Sequence, residues 1–202
     1  MKENNSKQVL LSVLGVAILV VAVVGVSFAA FSYSKTGTKV NTITTGTITM
    51  SYSETTNGIN LINALPMTDA VGKALKTENQ YFDFTVGANI TGSTTINYAI
   101  TATKEDSSTL PETGVKLYLT NMDSDADTQI MAPTKFSAIA KTTSAETSGA
   151  PSGQAKLYAG TFNATGSHDY RLRMWVADDY SVAGSTQTFK VRVNVYGAAA
   201  AQ

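Results

Sequence analysis

Three stretches near the C-terminus alternate apolar and polar residues with period two: Leu157, Ala159, Thr161; Tyr170, Leu172, Met174, Val176; and Phe189, Val191, Val193, Val195. Successive side chains of a strand point to opposite faces, so this period places one row of each stretch on a core and specifies β-structure. No segment of the chain after the first thirty residues carries a comparable helical period.

The same pattern recurs upstream. Ile43, Ile48, Met50 and Tyr52 lie within a stretch from Thr42 to Ser53 read as one strand, and Thr56-Asn57-Gly58 is a turn signal. Ile59 and Leu61 then resume the alternation as the return strand of a hairpin, which Pro66 ends because proline cannot donate to a ladder. Phe82, Phe84 and Val86, then Ile96, Tyr98, Ile100 and Ala102, and then Val115, Leu117 and Leu119 predict further strands. Phe136 to Ala140 is a candidate short strand, Asp69 to Lys76 a candidate helical turn, and Lys141 to Gln154, rich in Thr, Ser and Gly, a mobile surface loop. Roughly eight to ten short strands at such spacing predict an all-β fold, a two-sheet β-sandwich of jelly-roll type. A single sheet would leave one apolar face of these strands in water.

In front of this body, Lys2 and Lys7 precede an uncharged apolar run from Val9 to Ala30. It reads as an N-terminal hydrophobic signal or anchor helix, and its length fits both a cleaved export signal and a retained membrane anchor. Ser27-Phe28-Ala29 sets small residues at the positions a signal peptidase reads, so cleavage is expected between Ala29 and Ala30. Either outcome puts the body outside the cytoplasm, secreted or at the cell surface. The expected organisation is therefore a signal or anchor over 1–29, an extended segment over 30–45, a sandwich over 46–197 and a frayed tail over 198–202.

The 202 residues include no cysteine, which removes disulfides, thiolate catalysis and Cys-based metal sites. Fifteen basic residues balance fifteen acidic ones with no basic cluster among aromatics, so no nucleic-acid footprint is visible, and the membrane is a partner only through the N-terminal segment. One histidine, His168, rules out a two-histidine zinc site, and it is expected at the surface at the head of a strand. Asp123, Asp125 and Asp127 have the alternate spacing of the first EF-hand ligands, but Thr128 and Thr134 replace the turn glycine and the bidentate glutamate. They are the leading metal candidates, for calcium, ahead of Asp178 and Asp179, and no cofactor is otherwise expected. Leu110-Pro111-Glu112-Thr113-Gly114 spells a sortase motif mid-chain, without the hydrophobic segment and basic tail that would follow it, and is read as a loop. No nucleophile elbow or nominated carboxylate pair is present, so an enzyme is not expected. Trp175, flanked by Arg171 and Arg173 and opposite in parity to Tyr170, is expected to be exposed.

Ser27-Phe28-Ala29-Ala30-Phe31-Ser32, Gly46-Thr47-Ile48-Thr49-Met50-Ser51, Ile59-Asn60-Leu61, Pro66 and Phe82-Asp83-Phe84 stand in an order that resembles the TasA/camelysin family of secreted biofilm-matrix proteins. The resemblance covers roughly Val13 to Gly92. It implies cleavage by a dedicated signal peptidase, a jelly-roll domain, and extracellular fibres in which the mature N-terminus of one subunit adds a strand to the next. Some camelysin relatives carry a metalloprotease label, which a chain with one histidine does not support. In this sequence the donor segment is Ala30, Phe31, Ser32, Tyr33 and Ser34, whose extended form puts Phe31 and Tyr33 on one face. Such donation is head-to-tail between copies of the chain and does not close, so it builds filaments. The alternative is a monomeric surface or adhesion domain, secreted or held by its apolar segment.

Overall fold

Period-two alternation becomes two antiparallel sheets packed face to face in a computed structural model of the chain. It describes residues 16, 32–36, 41–45, 48–56, 58–61, 64–91, 94–124, 126–181 and 186–200, with 32–36, 41–45 and 48 described in backbone alone. The chain divides into Met1–Phe31, of which one residue is described, and Ser32–Gln202, which holds the sandwich. The expected signal helix and cleavage position lie outside the described residues. Among those described, no helix is long and apolar enough to cross a membrane.

Ten strands follow in order: β1 (Ser32–Thr36), β2 (Asn41–Thr45), β3 (Ile48–Glu54), β4 (Tyr81–Ile90), β5 (Ile96–Lys104), β6 (Val115–Asn121), β7 (Thr128–Lys135), β8 (Ala155–Phe162), β9 (Gly166–Val176) and β10 (Val191–Ala199). A short helix α1 (Asp69–Lys73) stands between β3 and β4. One sheet has the order β1-β10-β5-β8 and the other β2-β3-β4-β9-β6-β7. The stretch read as one strand from Thr42 to Ser53 is a hairpin, because Thr45 pairs with Ile48 and the chain turns between them. Ile59 and Leu61 form no strand; Asn60 instead donates its N–H to the Asn79 carbonyl at 2.8 Å. β10 extends through Ala199, two residues into the expected tail.

The alternating rows meet between the sheets. Met50, Tyr52, Phe84, Val86, Tyr170, Leu172, Leu117 and Leu119 face Ile96, Tyr98, Ile100, Phe162 and Val195, and all of these are buried. Aromatic rings line both inner faces, with Tyr52–Phe84 centroids at 5.8 Å and Phe84–Tyr170 at 5.5 Å in one sheet and Tyr98–Phe162 at 4.8 Å in the other, and Tyr158–Tyr170 at 6.0 Å spans the two. Their polar handles meet as well: the hydroxyls of Tyr98 and Tyr170, one from each sheet, lie 2.5 Å apart. Buried aromatics supply large apolar area, and a buried hydroxyl needs such a partner. Burial pushes the Tyr98 hydroxyl up to about 12 and raises that of Tyr170 further, so both stay protonated at neutral pH.

Both sheets are also covered on their outer sides, and this corrects two expectations. Trp175 is 1% exposed, not a surface residue, because α1 lies over it and Gly72 supplies the room. A Cβ at Gly72 would stand 2.3 Å from the Trp175 ring. The segment from Lys141 to Gln154 is not a loose surface loop: Thr142, Ser148 and Ala150 are buried, and Ala150 packs on Ala99 and Tyr196 of the other sheet's outer face. Hydrogen bonds tie its polar residues to the sheet, with Gln154 Nε2 donating to the Tyr196 hydroxyl at 2.9 Å and Thr101 Oγ1 donating to Gln154 Oε1. Phe136 to Ala138 is a single tight helical turn where a strand was expected, and the strand in that region is β7 just before it.

Gly72→Ala is expected to lose about 1–3 kcal/mol of stability through overpacking against Trp175. Gly166→Ala, where a Cβ meets nothing within 4 Å, is expected to be nearly neutral. Urea denaturation of the two variants checks both statements.

Candidate functional site

β10 is covered on both faces over most of its length. Val193, Val195 and Gly197 face the core, Asn194 and Tyr196 face the covering segment, and all five are buried. A strand covered on both faces has no water to satisfy its backbone, so both of its edges need hydrogen-bonding neighbours. β5 satisfies one edge in continuous register from Val191↔Lys104 to Ala199↔Ile96. The other edge is satisfied by β1, from Ser32↔Ala198 to Thr36↔Asn194.

Of the expected donor residues, Ser32, Tyr33 and Ser34 fall in β1, while Ala30 and Phe31 lie outside the described residues with the Ala29–Ala30 cleavage position. Tyr33 stands opposite Gly197 and Lys35 opposite Val195, two of the three β10 positions that face the core. Ser34 and Thr36 stand opposite Tyr196 and Asn194. Gly197 leaves room for Met50: a Cβ there would lie 2.0 Å from Met50 Sδ, so the end of that side chain would have to move. Asn194 donates from Nδ2 towards Thr103 Oγ1 at 3.3 Å and Gln154 Oε1 at 3.4 Å. Its buried Oδ1 has no hydrogen-bond partner among the described residues. Sequence reasoning missed Asn194, Tyr196 and Gly197, because an alternating pattern marks a core face and gives no sign that the opposite face is also covered.

At the start of β10 the core opens into a cleft of about 490 Å³, floored by Phe82, Leu172, Met174, Val191 and Val193. Its rim carries Glu54, Glu105, Lys190 and Arg192, of which Arg192 and Glu105 are ion-paired at 3.0 Å.

The acidic loop is drawn apart by other partners. Asp123 receives the Asn121 amide at 2.8 Å and the Asp169 backbone N–H at 2.6 Å, and lies 2.6 Å from His168 Nδ1. His168 is half-exposed near the head of β9, its ring stacked on Phe162 at 5.0 Å. Asp127 serves instead as the counterion of Arg173, which is 0% exposed and also donates from Nε to the Leu75 carbonyl at 2.8 Å. Burial pushes the Asp127 carboxyl up, but hydrogen bonds from Arg173 and Thr120 outweigh it and hold the group below the ordinary carboxylate value. Asp125 lies outside the described residues. Among those described, no three His, Asp or Glu residues converge as metal ligands. Next to this pair, Arg171 grips Asp83 with two bonds of 2.7 Å and lies 3.9 Å over the Tyr81 ring. The sortase-like motif is folded in: Leu110 is buried and donates its N–H to the Thr188 carbonyl at 2.9 Å, and Gly114 is closed over by Tyr180.

Comparisons with protein-family models, curated proteins and solved structures found no match.

Asp127→Ala strands the Arg173 charge in the interior and is expected to cost on the order of 3 kcal/mol in urea denaturation. The depressed carboxyl adds stability that is complete above its unfolded value of 3.8 and disappears as pH falls through the lower folded value. The stability gap between wild type and Asp127→Asn is therefore expected to be widest at neutral pH and to shrink as the pH falls below about 4.

Proposed function

We propose that the chain is an exported structural subunit of an extracellular fibre of TasA/camelysin type, cleaved between Ala29 and Ala30 and assembled by passing β1 to the next copy. The observation that carries this reading is the seat of β1. It is the first strand after the expected signal, it pairs with β10 alone, and it completes a strand that is otherwise buried on both faces. A second copy's β1 can re-form the same ladder in the same register, so exchange conserves the hydrogen bonds while joining two molecules. Repeated head-to-tail, it yields an open filament. The resemblance of Val13 to Gly92 supports the same assignment.

The finer architecture belongs to this reading. The orders β1-β10-β5-β8 and β4-β9-β6-β7, with β2 and β3 as a hairpin beside β4, support reading the sandwich as an eight-strand jelly roll. The reading assigns no catalytic residue and no cofactor. Its partners are other copies of the chain and a signal peptidase, with the membrane engaged only through the N-terminal segment and no nucleic acid involved.

One observation favours a second reading. β1 fills the β10 edge within its own chain, which is the state of a monomeric surface or adhesion domain, secreted or anchored by residues 1–29. N-terminal sequencing and negative-stain microscopy of protein recovered outside the cells separate the two. A start at Ala30 with filaments is expected; a start at Met1 in membranes without filaments would select the anchored monomer. A mature protein truncated to begin at Gly37 is expected to give soluble monomers that form no fibres and that unfold at lower urea than the full mature protein, because the β10 edge is left unpaired; normal fibres from it would sink the donor assignment.

A further inference from the structure

The first sheet has a second edge, and it is β8. Segment 140–141 covers the start of that strand, with Lys156 donating its N–H to the Ala140 carbonyl at 2.8 Å and Lys141 bridging to Ala155. From Leu157 to Phe162, β8 has no backbone partner among the described residues other than β5. Ala159 and Thr161 are exposed on the outer face above this row.

Folded proteins usually blunt such an edge with proline, lysine or a bulge, because its open N–H and C=O groups are a template for another strand. One edge of the opposite sheet obeys this rule: β7 contains Pro133 and Lys135, and its register against β6 slips twice, while the other edge strand, β2, reads Asn-Thr-Ile-Thr-Thr without charge or proline. β8 does not obey it either. Residues 157–162 read Leu-Tyr-Ala-Gly-Thr-Phe, without charge or proline, and the one irregularity sits at Leu157, leaving Tyr158 to Phe162 in regular register.

We infer that the β8 edge from Leu157 to Phe162 is a docking surface for a second copy of this chain, the two β8 strands pairing antiparallel about a two-fold axis through Gly160. Outward-facing backbone groups alternate along a strand, so in a two-fold antiparallel pair every residue must meet one of its own parity, and the axis must pass through a residue. With the axis at Gly160, Ala159 meets Thr161 of the second copy and Tyr158 meets Phe162, an aromatic pair of core parity. Lys156, the nearest charge, meets Ala164, so no like charges face each other. Cleavage after Ala29 removes Lys2, Lys7 and Glu3 and leaves thirteen basic against fourteen acidic residues, a near balance that removes any general repulsion between copies. The contact is isologous and closes as a pair, so it is independent of strand donation at β10.

The absence of native cysteine allows a direct test in the full processed protein. Residues directly opposite across an antiparallel pair have Cα atoms about 4.5–5.5 Å apart, within the roughly 4.4–6.8 Å that a disulfide spans. Ala159→Cys and Thr161→Cys proteins are mixed under mild oxidation and scored as covalent dimer on a denaturing gel. The mixture is expected to give at least about tenfold more dimer than either protein alone, or than a mixture of Thr128→Cys and Gln129→Cys on the blunted β7 edge, with thermal midpoints confirming that all four variants are folded. No dimer from the first mixture, or equal dimer from every sample, overturns the proposal. Scoring after denaturation makes the result independent of whether filaments are present, so failure here and failure of the fibre reading are told apart.

Discussion

A strand buried on both faces must have both edges paired, and β10 imposes that condition on the whole first sheet. Its inner row, Val193 and Val195, closes the core, while Asn194 and Tyr196 lie under the segment from Thr142 to Gln154. No water can replace a missing neighbour there, so the backbone groups on the β1 side have to be met by some strand. The chain meets them with its own first strand, and the ladder is indifferent to which molecule supplies that strand. Dependence of the fold on an N-terminal edge and capacity for exchange are two consequences of one constraint.

The second sheet answers the same problem differently. Its outer face carries charge, with Arg171 on Asp83 and Arg173 on Asp127, and it is roofed by α1 over Trp175. A fully buried guanidinium needs a counterion and acceptors, and Asp127, the Leu75 carbonyl and Thr120 Oγ1 at 3.5 Å supply them, one to each nitrogen. That requirement fixes the acidic loop: Asp127 turns to Arg173 and Asp123 to His168 and Asn121, so two carboxylates with metal-like spacing in sequence are held on different partners in space.

The fold class was legible because the side-chain period of two survives tertiary context, and every strand with a clean alternation was found, from Phe82 to Val86 and from Tyr170 to Val176. What was not legible has a common cause. Trp175 and the segment from Lys141 to Gln154 were read as exposed because alternation implies one wet face, and coverage of that face by elements remote in sequence leaves no periodic trace. The strand β7 was hidden for the opposite reason: its burial pattern is half-exposed throughout, as suits an edge with a proline and a lysine, so its apolar residues do not alternate cleanly. Of the donor segment, the sequence predicted extended backbone, and Ser32 to Ser34 adopt it; Asn194 and Gly197, which receive it, were invisible because their roles come from Thr103, Gln154 and Met50.

Sheet edges therefore decide how this domain can meet others. β7 is closed to partners by composition, since a proline withdraws an N–H and a lysine carries charge into any approaching strand. β10 is closed by occupancy, and occupancy is reversible in a way composition is not: β1 is five residues long and its ladder can be rebuilt from outside. β8 is closed by neither. A sandwich with the β7 edge blunted, the β10 edge filled by a terminal strand and the β8 edge left uncharged is asymmetric in its capacity for association. On the proposed readings, exchange at β10 is directional and propagates, while pairing at β8 is symmetric and stops at two, so the two ends of one sheet serve different levels of assembly without competing for the same backbone groups.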